Sequence, residues 1–209
     1  MTNQLWWYVA RSGGIVAWAL LAASVLWGLA LSTKVLRGRP RPNWILDLHR
    51  FLGGLALVFT GIHVVSLILD SYVHFGLVEV LVPFTGSWHP MAVAGGVIGL
   101  YLLVAVELTS LLRKRISKRV WRMTHFLSFP LFLLTTIHAL TAGTDRSTLP
   151  LRLSVIVVSA LITALTFVRL PLTRAANWAP TAPFTARVGG GGDRAAQVGG
   201  TTEGALSKL

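Results

Sequence analysis

Residues 49–63 read HRFLGGLALVFTGIH, and residues 124–138 read THFLSFPLFLLTTIH. Each is an apolar run with a histidine near either end: His49 and His63 in the first, His125 and His138 in the second. An imidazole in hydrocarbon needs a partner, so an ionisable residue inside a membrane span marks a functional site by default. At 1.5 Å per residue, the spacing from His49 to His63 covers about 21 Å and that from His125 to His138 about 19.5 Å, most of a bilayer's hydrocarbon thickness. Two runs so matched predict metal ligation across a helix bundle at two depths.

The rest of the chain fits a bundle in a membrane. Of 209 residues, 54% are hydrophobic and only 12% charged, a membrane composition. The net charge of +12 lies in short runs between apolar stretches. That is the footprint of loops facing anionic membrane lipid, and no nucleic-acid partner is expected. There is no cysteine, which excludes a disulfide framework, an iron–sulfur cluster, thiolate-held heme and covalently attached heme. The apolar run from Gly13 to Leu31 is too long for a signal-peptide core, and its basic residues follow it, so it reads as a span.

Five runs are long enough to cross, at about 13–33, 48–70, 91–112, 120–142 and 151–171. The first connection is basic (Lys34, Arg37, Arg39, Arg41) and so is the third (Arg113, Lys114, Arg115, Lys118, Arg119), whereas the second, from Ser71 to Pro90, has no Lys or Arg. The positive-inside rule then puts the N-terminus outside and the C-terminus in the cytoplasm. The expected fold is all-α, a bundle of five transmembrane helices over 1–172. A disordered cytoplasmic tail is expected over 173–209, where Gly189 to Gly192, Pro180 and Pro183 leave nothing to bury. No dinucleotide fingerprint or P-loop is present.

Orientation tests the pairing. Spans two and four both enter from the cytoplasmic side, so His49 and His125 share the inner level and His63 and His138 the outer. The matched set points to two hemes, each held by one histidine from either helix. Zinc wants ligands clustered tightly in one tetrahedral site, and these are too far apart along each helix. The azimuth is less regular: fourteen residues bring His63 within about 40° of the face of His49, but thirteen leave His138 about 140° from that of His125. Pro130 lies between the latter two, and a kink there is expected to restore the facing. Gly53, one turn from His49, either admits a flat porphyrin or simply allows close helix packing.

HRFLGGLALVFTGIH followed by WRMTHFLSFPLFLLTTIH (residues 121–138) resembles the ferric reductase-like transmembrane domain family. That family includes ferric reductases, the membrane cores of NADPH oxidases and the heme-bearing membrane subunit of the bacterial methionine sulfoxide reductase system. The placement of Trp121 four residues before His125 is most similar to the last. The resemblance covers about 45–171. It implies two hemes b, with His49, His63, His125 and His138 as the axial ligands of the iron. The family usually has six spans against five counted here, so an N-terminal one is expected to be missing. No flavin and nicotinamide domain is seen, and direct NADPH oxidation is not expected.

Other residues carry weaker readings. Arg50 and Arg122, beside the inner ligands, would pair with heme propionates; the plainer reading is positive-inside charge. Phe59 and Phe132 fall between the two levels. His74 and His89, in the second connection with Trp88, Asp70 and Glu79, would bind a metal or dock a partner, against the plainer reading of a solvated loop. Glu107 is expected to pair with Arg113 or Lys114. Gly95-x-x-x-Gly99 reads as close helix packing. The expected function is transfer of electrons from a cytoplasmic donor (a flavin reductase, reduced flavin or quinol) to an external acceptor (ferric iron, oxygen, a quinone or a partner reductase). A bacterial-type plasma membrane is its expected setting. The competing class is a non-redox bundle, a transporter or assembly factor, using histidines for metal or proton passage.

Overall fold

The computed structural model describes residues 2–32, 43–71 and 75–177, without the side chains of 2–3, 146 and 169–177. Among them there are helices and turns and no strand. The helices are α1 (Thr2–Ser32), α2 (Asn43–Leu69), the short α3 (Leu77–Leu81), α4 (Pro90–Leu111), α5 (Lys118–Phe126), α6 (Ser128–Thr141) and α7 (Leu149–Asn177). Five stretches are long and apolar enough to cross a membrane: Gln4–Ser32, Asn43–Leu69, Pro90–Lys114, Lys118–Thr141 and Leu149–Val168. In a bilayer backbone polar groups must be satisfied within the protein, which helices do along most of their length.

Three boundaries differ from the sequence reading. The first span was expected from residue 13, but α1 begins at Thr2. Arg11 halts a hydropathy reading; in the fold its charge is met by Asp145 through a two-pronged ion pair, Nε to Oδ2 and Nη2 to Oδ1. The fourth span was expected as one helix and is two, because the ladder breaks at Leu127. Pro130 has no N–H to give Phe126, and the Leu127 N–H bonds the Thr124 carbonyl instead, the tighter 3₁₀ pattern. Finally, α7 runs to Asn177, past residue 172 where the bundle was expected to end and into the tail expected over 173–209; the remainder of that tail lies outside the described residues, as do Lys34, Arg37, Arg39, Arg41 and His74.

Helix α1 is the centre of the bundle. Trp18, Leu21, Ala22, Val25 and Leu29 join Ala56 of α2, Leu103 of α4, Leu131 and Phe132 of α6, and Val155 and Ile162 of α7 in one core. The Trp18 indole N–H donates to Thr136 Oγ1 at 2.9 Å, and its ring stacks on Phe132 with centroids 6.3 Å apart, so the polar end of a buried aromatic is satisfied. Of the apolar stretch of α1, 33% is buried, against 11% for α7. Gly95 and Gly99 put α4 against α6: Cβ atoms there would meet the Leu134 carbonyl at 3.8 Å and Thr135 Cγ2 at 3.0 Å. That stripe of small residues is consumed inside the chain.

At the ends, Pro90 opens α4, where a missing N–H breaks no ladder bond. Ser117 caps α5, its hydroxyl accepting from the Val120 N–H at 3.2 Å.

Candidate functional site

The four span histidines meet in two pairs. His49 of α2 faces His125 of α5, ring centroids 5.9 Å apart and planes at 81°. His63 of α2 faces His138 of α6 at 6.4 Å and 78°. Along the unbroken α2 the pairs lie about 21 Å apart in depth. The break at Leu127 turns the two ends of the fourth span so that both of its histidines face α2.

Three of the four imidazoles are held in the same way. The Nδ1–H of His63 donates to the Ala10 carbonyl at 2.6 Å, that of His49 to the Ser24 carbonyl at 3.0 Å with Ser24 Oγ at 3.3 Å, and that of His138 to the Ala92 carbonyl at 2.8 Å. A carbonyl can only accept, so Nδ1 carries the proton in each. Four residues after each carbonyl stands a glycine. A Cβ on Gly14 would lie 2.9 Å from His63 Nδ1, one on Gly28 3.1 Å from His49 Cε1, and one on Gly96 2.7 Å from His138 Cε1.

The reason is helix geometry. The carbonyl of residue i already accepts from the N–H of i+4, and the side chain at i+4 flanks it. Without a Cβ there, the second lone pair is open to an outside donor and the flat ring has room. The two notches of α1, Ala10/Gly14 and Ser24/Gly28, repeat with the same spacing as the two histidines of α2. That matched spacing was a signal available in the sequence and was missed.

With Nδ1 tied up, Nε2 is left with its lone pair, the state in which imidazole binds a metal; a ligating histidine almost always has its other ring nitrogen on a carbonyl or carboxylate. Metal–imidazole bonds of about 2.0 Å on both sides would put the ring centroids roughly 6.3 Å apart, close to both distances found. Among the described residues no three His, Cys, Asp or Glu side chains gather around one point. A bare ion would find only two ligands at each level, whereas a metal that brings its own equatorial donors needs no more. The donor set therefore fits two bis-histidine hemes. An apolar cavity of about 220 Å³ reaches His63 and His138, with Gly14 and Gly96 in its wall and Arg11, Glu79, Trp88 and Asp145 along it. The Arg11 guanidinium holds the Asp145 carboxyl below the usual carboxylate range.

The remaining candidates fall elsewhere. Gly53 faces the Glu107 carboxylate of α4, which favours its packing reading over an approach to porphyrin. Glu107 was expected to pair with Arg113 or Lys114; it makes no ion pair with any described residue, because its side chain turns inward to Gly53. Arg113 instead lies over the Trp121 ring. Arg50 is exposed and 3.4 Å from Asp47 one turn back, and Arg122 is exposed on α5. Phe132 is buried against Trp18, and Phe59 is half-buried. His89 stands before Pro90 in a left-handed conformation, edge-on to Trp88 at 5.0 Å.

The family model described as "Ferric reductase like transmembrane component" matches residues 13–136. The match takes in α1 from residue 13 onward, a helix that the sequence resemblance had left out, and stops two residues before His138. No curated protein matches the chain. No solved structure does either.

Proposed function

The chain belongs to the ferric reductase-like transmembrane component family, and from that premise we propose that it is a diheme b-type cytochrome passing electrons from a cytoplasmic donor to an external acceptor. The carrying observation is the pair of histidine pairs, 5.9 and 6.4 Å between centroids, each joining α2 to the fourth span. His49 with His125 would hold the inner heme b, and His63 with His138 the outer. Bound there, the hemes supply reversible one-electron chemistry at two depths.

The protein's own contributions are distinct from that chemistry. Ala10, Ser24 and Ala92 fix the tautomer and tilt of three ligands. Gly14, Gly28 and Gly96 make room for them. The apolar wall around His63 and His138 excludes water. The exposed cluster of Arg113, Lys114, Arg115, Lys118 and Arg119 rims the inner level. Clustered positive charge there suits an acidic reductase or a phosphate-bearing flavin, and the docking rate should fall as salt rises. Quinol is the alternative donor. Ferric iron, oxygen, a quinone or a partner reductase is the acceptor at the outer level.

The test is heme counting on purified chain by pyridine hemochrome and reduced-minus-oxidised spectra. The expected result is two hemes, with His63→Ala and His138→Ala losing the same one and His49→Ala and His125→Ala losing the other. No heme absorbance after expression with ample heme would overturn the reading, and loss of different hemes in H63A and H138A would overturn the pairing.

A further inference from the structure

Three ligands rest on a carbonyl and a glycine, but the fourth is built differently. No glycine of the described residues has His125 among its nearest neighbours. Trp121 instead precedes His125 by one turn on α5, and the two rings stack with centroids 5.2 Å apart and planes only 19° apart. The Arg113 guanidinium, from the turn that ends α4, lies over the same indole, 4.5 Å from its centroid. Trp121 Nε1 is buried with no hydrogen-bond partner among the described residues. A buried indole ordinarily uses that donor, so this one is placed by its ring faces. Arg113 makes no ion pair with any described residue, and the π face of Trp121 is the contact found for its charge.

We propose that Trp121 and Arg113 are positioning residues for His125: the indole fixes the plane of the imidazole, and the cation beyond it biases the inner site toward its reduced form. The proposal rests on the diheme reading. A fixed positive charge near a redox centre stabilises the state with one electron more. At the cytoplasmic rim, that bias favours electron entry from a donor. The outer pair has no such cation–indole stack among the described contacts; the arginine along its cavity is neutralised by Asp145.

The experiment compares full-length wild type with Arg113→Gln, Arg113→Lys, Trp121→Phe and Trp121→Ala. Its readouts are spectroelectrochemical midpoints and the EPR signature of the low-spin ferric hemes. The inner component is assigned by its loss in H49A. Arg113→Gln should lower the inner midpoint and leave the outer one in place, with Arg113→Lys restoring most of the difference. Trp121→Ala should change the inner g-anisotropy, which reports ligand-plane orientation, and Trp121→Phe should keep it. Two bound hemes with both midpoints unmoved in R113Q would overturn the proposal, as would a shift shared equally by both hemes. Should W121A fail to accumulate, the exposed Arg113 still decides the matter. A wild-type chain without heme would instead overturn the diheme reading itself.

Discussion

At the scale of single residues, the sharpest consequence concerns the glycines beneath the histidines. Gly14 and Gly96 have no space for a methyl group, since a Cβ would approach the imidazoles to 2.9 and 2.7 Å. Gly54 and Gly61 on α2 have nothing within 4 Å of the same position. Gly14→Ala and Gly96→Ala should therefore displace a ligand ring, at about 1–3 kcal/mol of overpacking strain, and reduce outer-heme content in a hemochrome assay. Gly54→Ala should leave both hemes in place and stabilise α2 slightly through helix propensity; equal loss in all three would refute the notch. A second consequence lies at the Arg11–Asp145 pair. The Asp145 carboxyl is held below its ordinary range by Arg11, so its stabilisation is fully present above the unfolded value of about 3.9 and fades as pH falls through the lower folded value. Arg11 is 39% exposed, so the pair contributes no more than about 1 kcal/mol. Asp145→Asn should lower the melting temperature modestly at pH 7 and lose that difference only well below pH 4. The four histidines were legible in the sequence because imidazole in an apolar run is conspicuous. The carbonyls that hold them were marked only indirectly, by the glycines four residues on, because Ala10, Ser24 and Ala92 contribute backbone.

At the scale of elements, the fourth span shows why spacing alone misjudged the azimuth. An unbroken helix would turn His138 well away from the face of His125. The break at Leu127, three residues before Pro130, redirects α6 so that His138 meets His63. Pro130 itself was visible in the sequence, as was the need for a kink; the place of the break was not, because it falls where Phe126 loses its acceptor role. Pro130→Ala gives residue 130 an N–H and removes the ring clash. It should let the two helices merge and reduce the outer heme more than the inner, read as a heme-to-protein ratio below that of wild type. An unchanged ratio would mean that packing against α4 sets the bend. The reach of α1 was missed for a related reason. A charge at Arg11 ends an apolar window, and only the fold shows Asp145 waiting for it. The pairing assumed for Glu107 failed because depth was used without azimuth: Arg113 is near in level but points to Trp121.

At the scale of the whole molecule, the five spans and their order were legible because length and hydropathy decide what crosses a bilayer. Which helix forms the centre was not, since all five are apolar and only packing distinguishes α1 from α7. Charge asymmetry predicts the sides, and the lack of cysteine in the sequence makes this testable. Single cysteines at Ser117 and Ser87 should react with an impermeant maleimide from opposite sides of the membrane, Ser117 from the cytoplasm. Labelling from one side would reverse or abolish the proposed direction of electron flow.

The notches of α1 have a bearing on how the molecule is made. Both seats for the α2 histidines lie on α1, the helix that precedes α2, and neither uses a residue from the later half of the chain. The α1–α2 hairpin by itself would set two imidazoles at their depths with Nδ1 engaged. On the diheme reading, heme capture would then be the closing of a second jaw, α5 and α6, on a half-site that α1 and α2 complete. A register slip between α1 and α2 would take both imidazoles off their carbonyl seats together, and on the diheme reading it would impair both sites at once.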